Sequence, residues 1–160
     1  MTALVLAVPA CGSSQTAPSS QPSAAATQLP AAHGTPSAPS ERNKDMRLRV
    51  TLDGQPVNAT LNTSPAARDL ASLLPLTLDL EDFHGLERVA DLPRKLTTSG
   101  APAPDAAKTG DIAYYAPWGN LALFYQDGPA ASTDLLVLGH LDVDADQLGR
   151  ATRITLEAAS

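Results

Sequence analysis

From Met46 onward, apolar side chains recur at every second position in short runs, and turn residues break the runs about every eight to twelve residues. In "MRLRVTLDG", Leu48, Val50 and Leu52 take one face, and Arg47, Arg49 and Thr51 the other. Asp53-Gly54 signals a hairpin, because Asp-Gly between alternating runs is a favoured two-residue turn. "QPVNATLN" returns with Val57, Ala59 and Leu61 on one face, and Pro56 suits a strand edge or end because it has no N–H. "LTLDLED" sets Leu76, Leu78 and Leu80 against Thr77, Asp79 and Glu81. After the His84-Gly85 turn, "LERVADLP" alternates more weakly, with Glu87 and Arg88 on opposite faces. "GDIAYY", "LALFYQ", "LLVLGHLD" and "ATRITLE" bring the count to about eight strands. One helix interrupts them in "TSPAARDLASLLP". Ser64 can cap it, Pro65 fits its first turn, and Ala66, Leu70, Leu73 and Leu74 share a face. "RKLTTSGAPAPDAAKT" reads as a long loop and "DADQLG" as a turn or a single helical turn. The pattern predicts an all-β domain with minor α, either a closed barrel or a sandwich.

The chain has two Phe, three Tyr and one Trp, and all but Phe83 fall in "GDIAYYAPWGNLALFYQDG", Gly110 to Gly128. Both faces of this hairpin are largely apolar, which places its strands in the middle of the sheet and makes most of its aromatics structural. Trp118 differs, because it sits at the tip, in "PWGN". It either folds back to plug the barrel end or offers a ligand its large ring and N–H. Trp118, Tyr115 and Asn120 are the candidate ligand contacts.

Before Met46 the composition is of another kind. Residues 12–45 are dominated by Ser, Ala, Pro, Gln and Thr, which cannot bury enough surface to offset chain entropy. This segment reads as a disordered tether reaching on the order of 30–35 Å. Ahead of it, "MTALVLAVPA" is an apolar run with a small-residue exit, followed at once by Cys11. The run is about half the ~20 residues that a spanning helix needs. Residues 1–11 resemble a bacterial lipoprotein signal in which the thiol of Cys11 carries the lipid. Val8 and Pro9 depart from that pattern, and no Lys or Arg precedes the run. The natural start is therefore expected upstream. The domains are then a signal-like segment over 1–11, a tether over 12–45 and a folded domain over 46–160, with an extracytoplasmic location and a membrane link through the lipid alone.

Charge and motifs exclude several functions. With a net charge of −6 and no clustered Lys or Arg, the chain is no nucleic-acid partner. One cysteine allows neither an internal disulfide nor a cysteine-based zinc site. "DVDAD" opens like a calcium loop, but Gln147 and Arg153 stand where that loop needs Gly and Glu. No metal or other cofactor is expected. His140 and Asp142 share a face of one strand, yet no nucleophile motif surrounds Ser132 or Thr133.

The order of these pieces resembles the bacterial cyclophilin-like domain family: a DG hairpin, Asn62 with "AARDLASLLPL", then "DFHGLERVADLP", "GDIAYYAPWGNLALFYQD" and "LGHLD". The resemblance covers about Met46 to Glu157 and departs at His84. It implies a closed eight-stranded β-barrel with helical caps, similar in fold to the cyclophilins. It carries no activity with it. A prolyl isomerase of that type would present "FHR" and "QGGD"; both are absent, and Gly85 stands where the Arg of "FHR" would be. The expected role is therefore binding of a small molecule or peptide without catalysis. A barrel-pocket enzyme such as a prolyl isomerase and a structural envelope protein are the alternatives.

Overall fold

The first hairpin forms where the sequence places it. Asp53 and Gly54 both adopt positive φ (46° and 86°), and the turn joins β1 (Met46–Leu52) to β2 (Gln55–Leu61) in register Leu52↔Gln55. This computed structural model describes residues 45–159. The signal-like segment with Cys11, and the tether up to its last residue, lie outside the described residues. Pro56 pairs only with Thr51 of β1, because the ladder from β2 to β8 (Leu135–Asp142) begins at Asn58. A residue without an N–H thus sits where no second neighbour asks for one.

The helix α1 (Pro65–Ala71) begins as predicted: the Ser64 hydroxyl accepts from the Ala67 N–H at 3.2 Å. Its buried face is Ala66, Ala67 and Leu70, with Leu73 and Leu74 partly buried beyond its end. Asn62 secures the approach to the helix. Its side chain accepts from the Ser64 N–H and donates to the Val137 carbonyl of β8. A second helix, α2 (Ala145–Arg150), occupies the segment read as a turn or a single helical turn.

The remaining strands are β3 (Leu76–Asp79), β4 (Glu81–Phe83), β5 (Glu87–Asp91), β6 (Asp111–Tyr115), β7 (Asn120–Phe124) and β9 (Arg153–Ala158). Among the described residues nine strands, all paired antiparallel, form one sheet in the order β3-β9-β1-β2-β8-β6-β7-β5-β4. The count exceeds the predicted eight because "LTLDLED" is divided. Its first half pairs with β9 and its second with β5, so consecutive strands β3 and β4 stand at the two ends of the order. The chain crosses between them at Leu80, whose N–H donates to the Thr152 carbonyl at 2.7 Å. That crossing bends the sheet into a nearly closed barrel, and the all-β architecture with minor α stands as predicted.

The central hairpin accounts for both faces of the sheet. Every residue of β7 is buried. Leu121 and Leu123 enter the large core with Ile112, Tyr114, Leu138 and Ile154. Ala122 and Phe124 point the other way, into a small cluster with Ala107, Ala113 and Leu135. Each fully buried leucine contributes about 1.5–3 kcal/mol relative to an exposed one. The long loop after β5 is pinned rather than free. Leu96 is buried, and its N–H donates to the Tyr114 hydroxyl at 3.0 Å. Arg94 makes a two-pronged ion pair with Asp69. Among the described residues no helix is long and apolar enough to cross a membrane.

Candidate functional site

Three segments converge on the face of the sheet that carries the small cluster. They are the β4–β5 hairpin, the β6–β7 hairpin and the loop from β7 to β8, and they line a cavity of about 390 Å³. That volume falls within the range of small-molecule sites.

Trp118, Tyr115 and Asn120, the residues singled out in the sequence, all line this cavity. Their placement follows from the hairpin. Tyr115 and Asn120 are directly paired at its end, and both side chains take the same face as Ala113, Ala122 and Phe124. Gly119 closes the tip with φ +81°, its N–H donating to the Tyr115 carbonyl at 2.8 Å. Lys95 supports the tip from the long loop, its ammonium donating to the Pro117 carbonyl. Trp118 does not fold back to plug the barrel. It is 61% exposed, the one large apolar side chain among the described residues to stand so far in solvent. The barrel interior is already filled by the large core, and the short tip holds the indole outside it.

Phe83 is the aromatic that lies outside the central stretch in sequence, and the fold brings it to the same place. Its ring centroid lies 5.4 Å from that of Trp118, with the planes at 90°. Tyr115 stands 5.3 Å from Trp118 at 88°. The β4–β5 turn holds Phe83 there through His84 and Gly85, both at positive φ (55° and 69°). Asp82 fastens that turn: it accepts from the Tyr125 hydroxyl at 2.6 Å and from the Gly85 N–H at 3.2 Å. The Tyr125 bond first, then the Gly85 bond, keep the Asp82 carboxyl below its ordinary range.

The polar lining is unusual in two respects. Asn120 is only 6% exposed, and its Oδ1 has no hydrogen-bond partner among the described residues. A buried acceptor left in that condition costs about 1–3 kcal/mol. Glu87 also lines the cavity, half-buried, and burial pushes its carboxyl above the ordinary glutamate range. Asp134 is the second acid of the lining, which contains no Lys or Arg among the described residues. Phe83 was not singled out in the sequence, whereas Glu87 and Arg88 were read there as a pair on opposite faces of a strand. The signal for Glu87 was its alternation against Arg88, which separates the two faces but does not say which one meets a cavity.

Other sequence candidates lie elsewhere. His140 does not pair with Asp142. Its Nδ1 lies 3.0 Å from Asp111 Oδ1 on the neighbouring strand β6, directly across the ladder. Ser132 lines the cavity, and its hydroxyl accepts from the Asp134 N–H. Asp144 stands at the start of α2, and among the described residues no cluster of three or more His, Cys, Asp or Glu could hold a metal ion.

No curated protein sequence matches the chain. Its structure is similar to the solution structure of a hypothetical protein from Archaeoglobus fulgidus, with a TM-score of 0.51 and 22% identity over 75% of this chain and 99% of that one. At that identity the likeness establishes the fold alone. The sequence model of the Cyclophilin-like family matches residues 50–157, from β1 to β9, and the chain therefore belongs to the Cyclophilin-like family.

Proposed function

We propose that this protein is a binding module whose cavity beside Trp118 receives a small molecule or the side chain of a peptide, without catalysis. The observation that carries the reading is Asn120, which lines a cavity that three aromatic rings flank and whose buried Oδ1 has no donor among the described residues. A ligand supplying an N–H or O–H would remove that cost on binding. The isomerase reading is less well supported, because polarising a prolyl amide calls for a cationic donor and no Arg or Lys among the described residues is in the lining. Trp118 is the only tryptophan of the chain, so its fluorescence reports on this cavity. Titration of the full chain with arylalkyl amines, alcohols and acids should give saturable quenching with at least one class, weakened by Tyr115→Ala. Quenching by none would overturn the reading, and turnover of a prolyl peptide would restore the isomerase alternative.

The cellular setting proposed with it is extracytoplasmic, with a lipid on the Cys11 thiol and residues 12–45 as the tether. The support is the apolar run, its small-residue exit and the Cys that follows. In a bacterial host that processes lipoproteins, wild type should sediment with membranes and Cys11→Ala should not. Equal partition of the two would remove the anchor.

A further inference from the structure

We infer that the ligand of this cavity is an organic ammonium ion, held between the rings of Phe83, Tyr115 and Trp118 and the acids Glu87 and Asp134, with an N–H given to Asn120 Oδ1. This rests on the binding role just proposed and names the chemical class that the lining selects.

Three independent observations converge on it. The first is charge. Among the described residues the lining holds the acids Glu87 and Asp134 together with His84, and no Lys or Arg offsets the two acids. An anionic ligand would meet repulsion there, whereas a cation is attracted by Coulomb forces that partial burial strengthens. The second is the aromatic arrangement. Phe83 and Tyr115 each stand at right angles to Trp118, at 5.4 and 5.3 Å between centroids. Rings so disposed at the mouth of one cavity offer their electron-rich faces in different directions, and a cation within about 6 Å of a ring centroid is stabilised by its quadrupole. The third is the orphaned acceptor. Asn120 Oδ1 is buried and has no donor among the described residues, and Asn120 lies on the cavity face of β7 with Ala122 and Phe124. An ammonium N–H is a strong donor and, being charged, forms the stronger class of hydrogen bond.

Each alternative class fails on one of these points. A hydrocarbon would leave Asn120 Oδ1 and Glu87 without partners. A carboxylate or phosphate would add negative charge beside Glu87 and Asp134. A neutral alcohol could satisfy Asn120 but would gain nothing from the acids. A nearby cation would also favour the charged form of Glu87, against the burial that raises its carboxyl. A primary, secondary or tertiary amine meets all the requirements, whether as a free small molecule or as the end of a lysine side chain.

The test uses Trp118 fluorescence of the full chain with 2-phenylethylammonium, Nα-acetyl-lysine methylamide, 2-phenylethanol and 3-phenylpropionate as probes. At least one of the two ammonium probes should bind tenfold or more tightly than the alcohol and the acid. Saturation by the lysine derivative alone would identify a peptide side chain as the source, and by the free amine alone a small molecule. Glu87→Gln and Asn120→Leu should each weaken the ammonium probe by about tenfold, which corresponds to roughly 1.4 kcal/mol. Thermal melting of both variants confirms that they are folded. If 2-phenylethanol or 3-phenylpropionate binds as tightly as the ammonium probes, the ligand class is overturned while the cavity role stands. If no probe quenches Trp118, both fall.

Discussion

Glu87 and Arg88 are neighbours in the chain and serve opposite faces of one strand. Glu87 lines the cavity, whereas Arg88 lies opposite Leu123 and its guanidinium donates to the Gly149 carbonyl in the last turn of α2. A basic group at that end of a helix also meets its negative pole. One strand thus holds α2 through Arg88 and supplies one of the two acids of the site.

The position of Glu87 sets a conflict between stability and binding. Burial raises its folded-state carboxyl above the unfolded value of roughly 4.3. Its contribution to stability is therefore fully present below that value and is lost as pH rises through the raised one. Glu87→Gln should melt at a higher temperature than wild type at pH 7, and the gap should close as pH falls toward 4. Melting curves across that range check this, and an unchanged gap would show that Glu87 is not held in a desolvated state.

Tyr114→Phe should destabilise the domain by about 1–3 kcal/mol. The substitution keeps the ring in the large core but leaves the buried Leu96 N–H without its acceptor. Denaturant unfolding measures the loss. Hydrogen exchange should quicken first in the loop around Leu96.

Acid should weaken the attachment of that loop. Arg94 is the principal cause, and the Thr97 N–H a further one, of an Asp69 carboxyl lowered to about 2. A depressed value means stability that is present above the unfolded value of roughly 3.9 and is lost as pH falls toward 2. Asp69→Asn should lower the melting temperature by roughly 4–8 °C at pH 7, the shift for about 1 kcal/mol in a domain of this size. The difference from wild type should vanish near pH 2. A constant offset would mean that the ionised carboxylate is not what matters.

Two glycines should answer very differently to alanine. At Gly139 a Cβ would collide with the Thr60 carbonyl oxygen and lie 2.9 Å from Leu61 Cα, both backbone atoms of the paired strand β2. Gly139→Ala should prevent stable folding. At Gly119 the nearest atom is Lys95 Cγ at 2.8 Å, in a flexible side chain, though φ is +81°. Gly119→Ala should fold with a loss of about 1 kcal/mol and a displaced Lys95. Expression yield and circular dichroism distinguish the two outcomes.

Period-two alternation and turn chemistry by themselves determined most of the strands, the hairpins at Asp53-Gly54 and His84-Gly85, the Ser64 cap and the central place of the hairpin between Gly110 and Gly128. These are local properties, because a strand's two faces and a turn's positive φ are set within a few residues. The same reasoning placed Trp118, Tyr115 and Asn120 at one hairpin end, since pairing across a short turn is fixed by its length. Tertiary structure alone decided what meets across long separations. It divided "LTLDLED" between the two ends of the sheet, gave His140 the partner Asp111 in place of Asp142, and kept Trp118 outside the filled barrel. It also brought Phe83 and Glu87 against the tip and left Asn120 Oδ1 buried without a donor. Alternation says that a side chain faces one way or the other; which face becomes the core and which the cavity depends on how the sheet closes, a property of the whole chain.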